Sequence, residues 1–175
     1  NMAILNTGLA TPSRGFTIPY SCRFDSGRST VMTRTMGTPT NTDKWVFSCW
    51  VKKSEADGDH VSILNASLDG SGTGESDIAF DATESVYVYQ YNSGYTYRYI
   101  STSKYRDPNA WYHYVVAHDT TQATASNRVL VHVNGEVVTD WSTETDPSQN
   151  LDSASFNAAN QHRIGNERSD SREFS

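Results

Sequence analysis

The feature that most narrows the possible folds is a run of alternating valines, Val129, Val131 and Val133, that enters Asn134-Gly135 and leaves through Val137 and Val138. Asn-Gly accepts the positive φ angles of a type I′ turn, whose twist matches that of two antiparallel strands. The pattern therefore predicts a hairpin pairing 127–133 with 136–140. Similar short period-two runs occur along most of the chain. Strands are expected at 21–24, 30–35, 44–52, 60–66, 76–81, 85–91, 95–101, 111–118, 127–133, 136–140 and 161–165. No segment sustains a helical period, and no repeat of 20–50 residues marks a propeller or solenoid. The expected fold is all-β, a two-sheet antiparallel β-sandwich of jelly-roll type.

With 175 residues the chain suits one domain with a real core, and its ten Tyr and four Trp fit pleated, half-buried surfaces. Residues 1–20 carry Gly8, Pro12, Gly15 and Pro19 without a period. They read as an extended arm before a sandwich at 21–175. With no apolar period to tie it down, the arm is expected to attach to a partner rather than pack its Ile4, Leu5 and Leu9 into its own domain. A net charge of −6 argues against nucleic acid or an anionic membrane as partner, since both require a basic footprint. No stretch approaches the ~20 apolar residues of a membrane span, and the start lacks a signal-peptide profile, so a soluble domain without membrane insertion is expected. Cys22 and Cys49 are too few for a disulfide scaffold and lack C-x-x-C spacing. Both are expected to be unpaired and half-buried.

Trp111-Tyr-His113-Tyr-Val-Val-Ala-His-Asp119, followed by Arg128-Val-Leu-Val-His-Val133-Asn134-Gly135, resembles the core of the laminin G-like and pentraxin-like group of the concanavalin A-like lectin/glucanase superfamily. Trp45-Val-Phe-Ser-Cys-Trp50-Val51-Lys52 is similar to that group's early strand. The wording, Asp119 to Val129 included, lies closest to such domains in structural and tail proteins of marine bacteriophages. The resemblance implies a concanavalin A-like sandwich on a virion or other extracellular surface, with other virion or surface proteins as partners, and it leaves open a homo-oligomer formed through the parent protein. In relatives another apolar strand follows the region of His162-Arg-Ile-Gly165, whereas Asn166 to Ser175 is polar here. The expectation is a longer parent protein, or a second chain that supplies the strand.

The superfamily includes β-glucan hydrolases with a Glu-x-Asp-x-Glu strand, whose period-two spacing sets nucleophile and acid on one sheet face. Here Glu75 and Asp77 match, but Ala79 and Phe80 occupy the place of the acid/base and Asp81 comes late. Catalysis is not expected. Between Ser54 and Tyr97 stand eight acidic residues and no Lys or Arg. Within that stretch Glu55, Asp57 and Asp59 alternate as in a hard-cation loop, the one place where calcium would bind; the spacing is not that of an EF-hand. The five His residues form no H-E-x-x-H, and no Ser stands in a G-x-S-x-G turn. His113 reads as structural, on one strand face with Trp111, Val115 and Ala117.

The most unusual feature is aromatic. A hairpin of 85–91 and 95–101 through Asn92-Ser93-Gly94, with Gly94 in the left-handed position, would set Tyr87, Tyr89 and Tyr91 opposite Tyr99, Tyr97 and Tyr95. All six would share one face outside the main core, while Val86, Val88, Gln90, Thr96, Arg98 and Ile100 would line the other. Burying six phenols demands six hydrogen-bond partners, so the tyrosine face is expected to stay partly wet and to contact sugar or subunit. The function expected is a non-catalytic binding or structural module of a phage virion, in a tail, fibre or capsid-surface protein, that contacts host-surface glycan. The alternative is a pure assembly or decoration component, and a β-glucan hydrolase is a distant third.

Overall fold

The computed structural model describes residues 20–24, 30–53, 58–68 and 74–166. Eleven described strands follow one another: β1 (Met32–Thr35), β2 (Lys44–Val51), β3 (Val61–Ser67), β4 (Glu75–Phe80), β5 (Ser85–Tyr91), β6 (Tyr95–Lys104), β7 (Tyr112–Asp119), β8 (Val129–Val133), β9 (Glu136–Val137), β10 (Trp141–Thr145) and β11 (Gln161–Ile164). They form a seven-stranded sheet ordered β1-β11-β3-β4-β5-β6-β10 and a four-stranded sheet ordered β2-β7-β8-β9, and the strand pairs are antiparallel. The fold is the antiparallel sandwich that the strand pattern predicts. The N-terminal arm lies outside the described residues, apart from Tyr20.

Each strand of the smaller sheet sends alternate side chains inward. Trp45, Phe47, Cys49 and Val51 of β2 and Tyr112, Tyr114 and Val116 of β7 meet Val129, Val131 and Val133 of β8 in the main core. From the larger sheet Val61, Ile63, Ile78, Phe80, Val86 and Val88 close it. β2 and β7 pair without a register break from Lys44–Asp119 to Val51–Tyr112. The Asn134-Gly135 hairpin forms as expected: Asn134 has φ 55° and Gly135 φ 87°, and Val133 pairs with Glu136. Its second strand is shorter than 136–140, because after Val138 the chain crosses to the other sheet.

That crossing creates β10, which the sequence reading missed. Trp-Ser-Thr-Glu-Thr has little apolar alternation, and what makes it a strand is the free edge of β6. Trp141 turns inward to meet Tyr99 edge-on at 5.3 Å, and Ser103 donates through both its backbone N and Oγ to Asp140 at the crossing. Conversely, the expected strand at 21–24 is absent. Phe24 instead lies across the end of β11, over Gly165 (φ 87°), where a Cβ would come within 2.1 Å of the Phe24 ring.

A buried ion pair closes one end of the core. Lys53, just past β2, reaches Glu84 in the turn before β5, with its Nζ 4.7 Å above the Phe80 ring.

Candidate functional site

The hairpin of β5 and β6 departs from its simplest register, and that departure decides the site. Tyr91 pairs with Tyr95 as expected, but the next pairs are Gln90–Tyr97, Tyr89–Arg98, Val88–Tyr99 and Tyr87–Ile100. Thr96 is the extra residue of a β-bulge. Its Oγ1 accepts from Gln90 Nε2 at 3.0 Å and donates to the Gln90 carbonyl at 3.2 Å, while Gln90 Oε1 accepts the backbone N–H of Ala154 at 2.9 Å. A one-residue slip sends every following side chain to the opposite face. The turn differs too: Ser93 takes the left-handed conformation at φ 59° where Gly94 was expected.

The six tyrosines are therefore split. Tyr97 and Tyr99 point into the main core, 0% and 1% exposed, beside Val86 and Val88. Tyr99 keeps its phenol satisfied by donating to Asp146 Oδ1 at 2.6 Å. Arg98 and Ile100, expected inside, face out with Tyr87 and Tyr89. Tyr87, Tyr89, Ala79 and Ile100 make a second, smaller cluster on the outer face of the larger sheet.

At the tip of this face Tyr91 and Tyr95 remain 38% and 45% exposed, crossing edge-on at 5.3 Å. Tyr95 also meets Tyr89 edge-on at 5.7 Å, and its hydroxyl lies 3.3 Å from that of Tyr87. The Arg98 guanidinium carbon sits 4.5 Å from the Tyr95 ring centre and 5.4 Å from that of Tyr87. Burial, and then the neighbouring Tyr95 hydroxyl, push the Tyr87 phenol well above its ordinary pKa, so it stays a neutral donor. The result is an aromatic floor with two exposed rings and one cation.

The acidic residues of the same face are engaged. Asp77 is buried, accepting from Ser62 Oγ at 2.6 Å and from His60 Nε2 at 2.8 Å, and the His60 ring stands edge-on to Tyr87 at 5.3 Å. Glu75 accepts from Asn65 Nδ2 at 2.9 Å. Ala79 is fully buried, Phe80 points into the core, and Asp81 holds the next turn by accepting from Thr83 N, Thr83 Oγ1 and Ser85 N. Paired-carboxylate hydrolysis needs a second free acid on the face of Glu75 and Asp77, and the strand places Ala79 there. Of the cation-loop candidates, Glu55 and Asp57 lie outside the described residues, and Asp59 is exposed. Among the described residues no group of three His, Cys, Asp or Glu could hold a metal ion.

The outer face of the four-stranded sheet is a surface that the sequence reading did not single out. It presents Val46, Ser48 and Trp50 of β2, His113, Val115 and Ala117 of β7, Leu130 and His132 of β8, and Val137 of β9. Val46 is 71% exposed and Trp50 53%, with His113 stacked on the Trp50 ring at 4.9 Å and its Nε2 3.0 Å from Ser48 Oγ. The signal was there in Trp45-Val-Phe-Ser-Cys-Trp-Val, where both faces of one strand are largely apolar. Beside β2 opens a cavity of about 680 Å³ lined by Cys22, Phe24, Phe47, Cys49, Trp50 and Trp111 among others. Both cysteines are free; Cys49 is half-buried as expected, whereas Cys22 is exposed. Burial pushes the Cys49 thiol up to about 12, which leaves it protonated and unreactive at neutral pH.

A family model described as Laminin_G_3, concanavalin A-like lectin/glucanases superfamily, matches residues 25–175. A similar solved structure is the native heptameric SAP-like pentraxin from Limulus polyphemus, at 10% sequence identity and a TM-score of 0.50. The similarity covers 77% of this chain and 57% of the pentraxin chain, so the chain spans little more than half of that protein. At this identity the likeness concerns the fold alone. No relative was found among curated proteins. With the family model extending over most of the described sandwich, the chain belongs to the Laminin_G_3 family of the concanavalin A-like lectin/glucanases superfamily.

Proposed function

We propose that this lectin-like domain is a non-catalytic binding module that recognises surface glycan through the outer tip of β5 and β6. The observation that carries the reading is the exposed Tyr91–Tyr95 pair, braced from below by Tyr87, Tyr89 and Arg98. Tyrosine offers a flat stacking area and a wet hydroxyl on one rigid side chain, which suits the alternating C–H and O–H faces of a sugar ring. Each stacked ring contributes on the order of 1 kcal/mol. The setting proposed is the surface of a virion, in a tail, fibre or capsid-surface protein, and its support is the wording of Trp45–Lys52 and Trp111–Gly135. A glycan array probed with the isolated domain tests the reading: binding should appear and should weaken several-fold in Tyr91→Ala and Tyr95→Ala. Binding that is indifferent to both changes would sink it.

A second reading has its own observation. The apolar outer face of the four-stranded sheet, centred on Val46, Trp50 and Val115, suits contact with another protein and supports a pure assembly role. A silent glycan array together with a self-association that Trp50→Glu abolishes would favour this alternative.

A further inference from the structure

We infer that the sugar bound at the β5–β6 tip carries an anionic group, a carboxylate or a sulfate, and that Arg98 selects for it. The inference rests on the glycan reading above and names the chemistry of the ligand. Arg98 stands on the outer face between Tyr89 and Thr145, its register partners on β5 and β10. Neither can neutralise it. The ion pairs found among the described residues join Lys44 to Asp119 and Lys53 to Glu84, His60 hydrogen-bonds Asp77, and none of these contacts includes Arg98. The carboxylates of the same face are held by other partners, Glu75 by Asn65 and Asp77 by Ser62 and His60. Arg98 Nε is buried, so a ligand would meet the terminal nitrogens of the guanidinium.

The rings of Tyr95 and Tyr87 hold the guanidinium in place. A planar guanidinium fixed in this way is pre-organised for two parallel hydrogen bonds to a carboxylate or sulfate. Tyr91 and Tyr95 are exposed at the tip with their planes crossing at 77°, so that one can stack the ring that bears the group while the other flanks it. The chain's net charge of −6 does not forbid this, because at physiological salt charges beyond roughly 8 Å are largely screened and the contact is short-range.

The experiment compares matched sugars on the intact domain: mannan oligosaccharides against oligomannuronates, and agarose against carrageenan oligosaccharides, by calorimetry at low and high salt. The expected result is at least a tenfold preference for the acidic member of one pair, reduced at high salt. Arg98→Gln should erase the preference, and Arg98→Lys, which keeps the charge but not the fork, should restore only part of it; thermal melts of both confirm folding. If neutral and acidic members bind wild-type protein equally, the inference is overturned while the glycan reading stands. A preference that survives in folded Arg98→Gln overturns it in the same way. If no sugar of either kind binds, both fall together.

Discussion

The two outer faces of this sandwich are built from the same alternating strands and differ in almost every other respect. On the seven-stranded sheet the outward positions hold Glu75, Asp77, Tyr87, Tyr89 and Arg98, with the acids held by neighbouring side chains. On the four-stranded sheet they hold Val46, Trp50, Val115, Ala117 and Leu130, with Val46 and Trp50 the most open. The inner faces share one task, filling a dry core. Stability leaves the outer faces freer, so their composition points to what touches them. On the proposed readings one would take a polar ligand with ring faces, the other an apolar partner.

The sharpest test of the division lies within the β5–β6 hairpin. Tyr97→Ala or Tyr99→Ala should cost about 3–5 kcal/mol in chemical denaturation, as truncation of a packed aromatic does. Tyr91→Ala and Tyr95→Ala should each cost less than about 1 kcal/mol. Equal losses at all four positions would mean that the bulge at Thr96 does not separate core from surface.

A second test uses pH. Inside the core His118 stacks on Trp45 at 4.9 Å, and burial lowers its pKa from 6.5 to about 4. A base whose folded pKa is depressed stabilises the fold fully above its unfolded pKa, and the contribution drains as pH falls from about 6.5 towards 4. The loss should be on the order of 3 kcal/mol, and melting curves of His118→Gln should show a flatter pH dependence through that window. A wild-type melting temperature that stays level from pH 7 to 4 would contradict the neutral, buried ring.

Substitutions on the apolar outer face should barely move the fold. Trp50→Glu is expected to change stability by no more than about 1 kcal/mol while lowering any self-association seen by sedimentation. A loss above about 3 kcal/mol would make Trp50 part of the folding core instead of a contact surface. The smallest effect of all is expected at the acids: β-glucan incubated with wild-type protein and with Glu75→Gln should release reducing sugar at the same background rate. Release above background that Glu75→Gln or Asp77→Asn removes would restore the hydrolase reading.

Much of this architecture was legible in the chain. Alternation marked β2, β7 and β8 as strands, because a strand's period of two is a property of the backbone alone. Asn134-Gly135 announced its hairpin because few residue pairs tolerate two positive φ angles. The place of Ala79 on one face with Glu75 and Asp77 could likewise be read by counting along β4.

What the sequence did not reveal depends on partners distant in the chain. Trp141–Thr145 becomes a strand because β6 offers it an edge. Both Gln90 and Thr96 belong to the hairpin, but the Ala154 N–H that Gln90 accepts lies far along the chain, and this anchor accompanies the bulge that turns Tyr97 and Tyr99 inward and Arg98 outward. Alternation tells which residues share a face only while the register is unbroken, and one extra residue reverses every assignment after it. The sequence by itself determined the sandwich and its supply of tyrosines; the tertiary structure decided which of them are core, which are surface, and that a lone arginine stands among the latter.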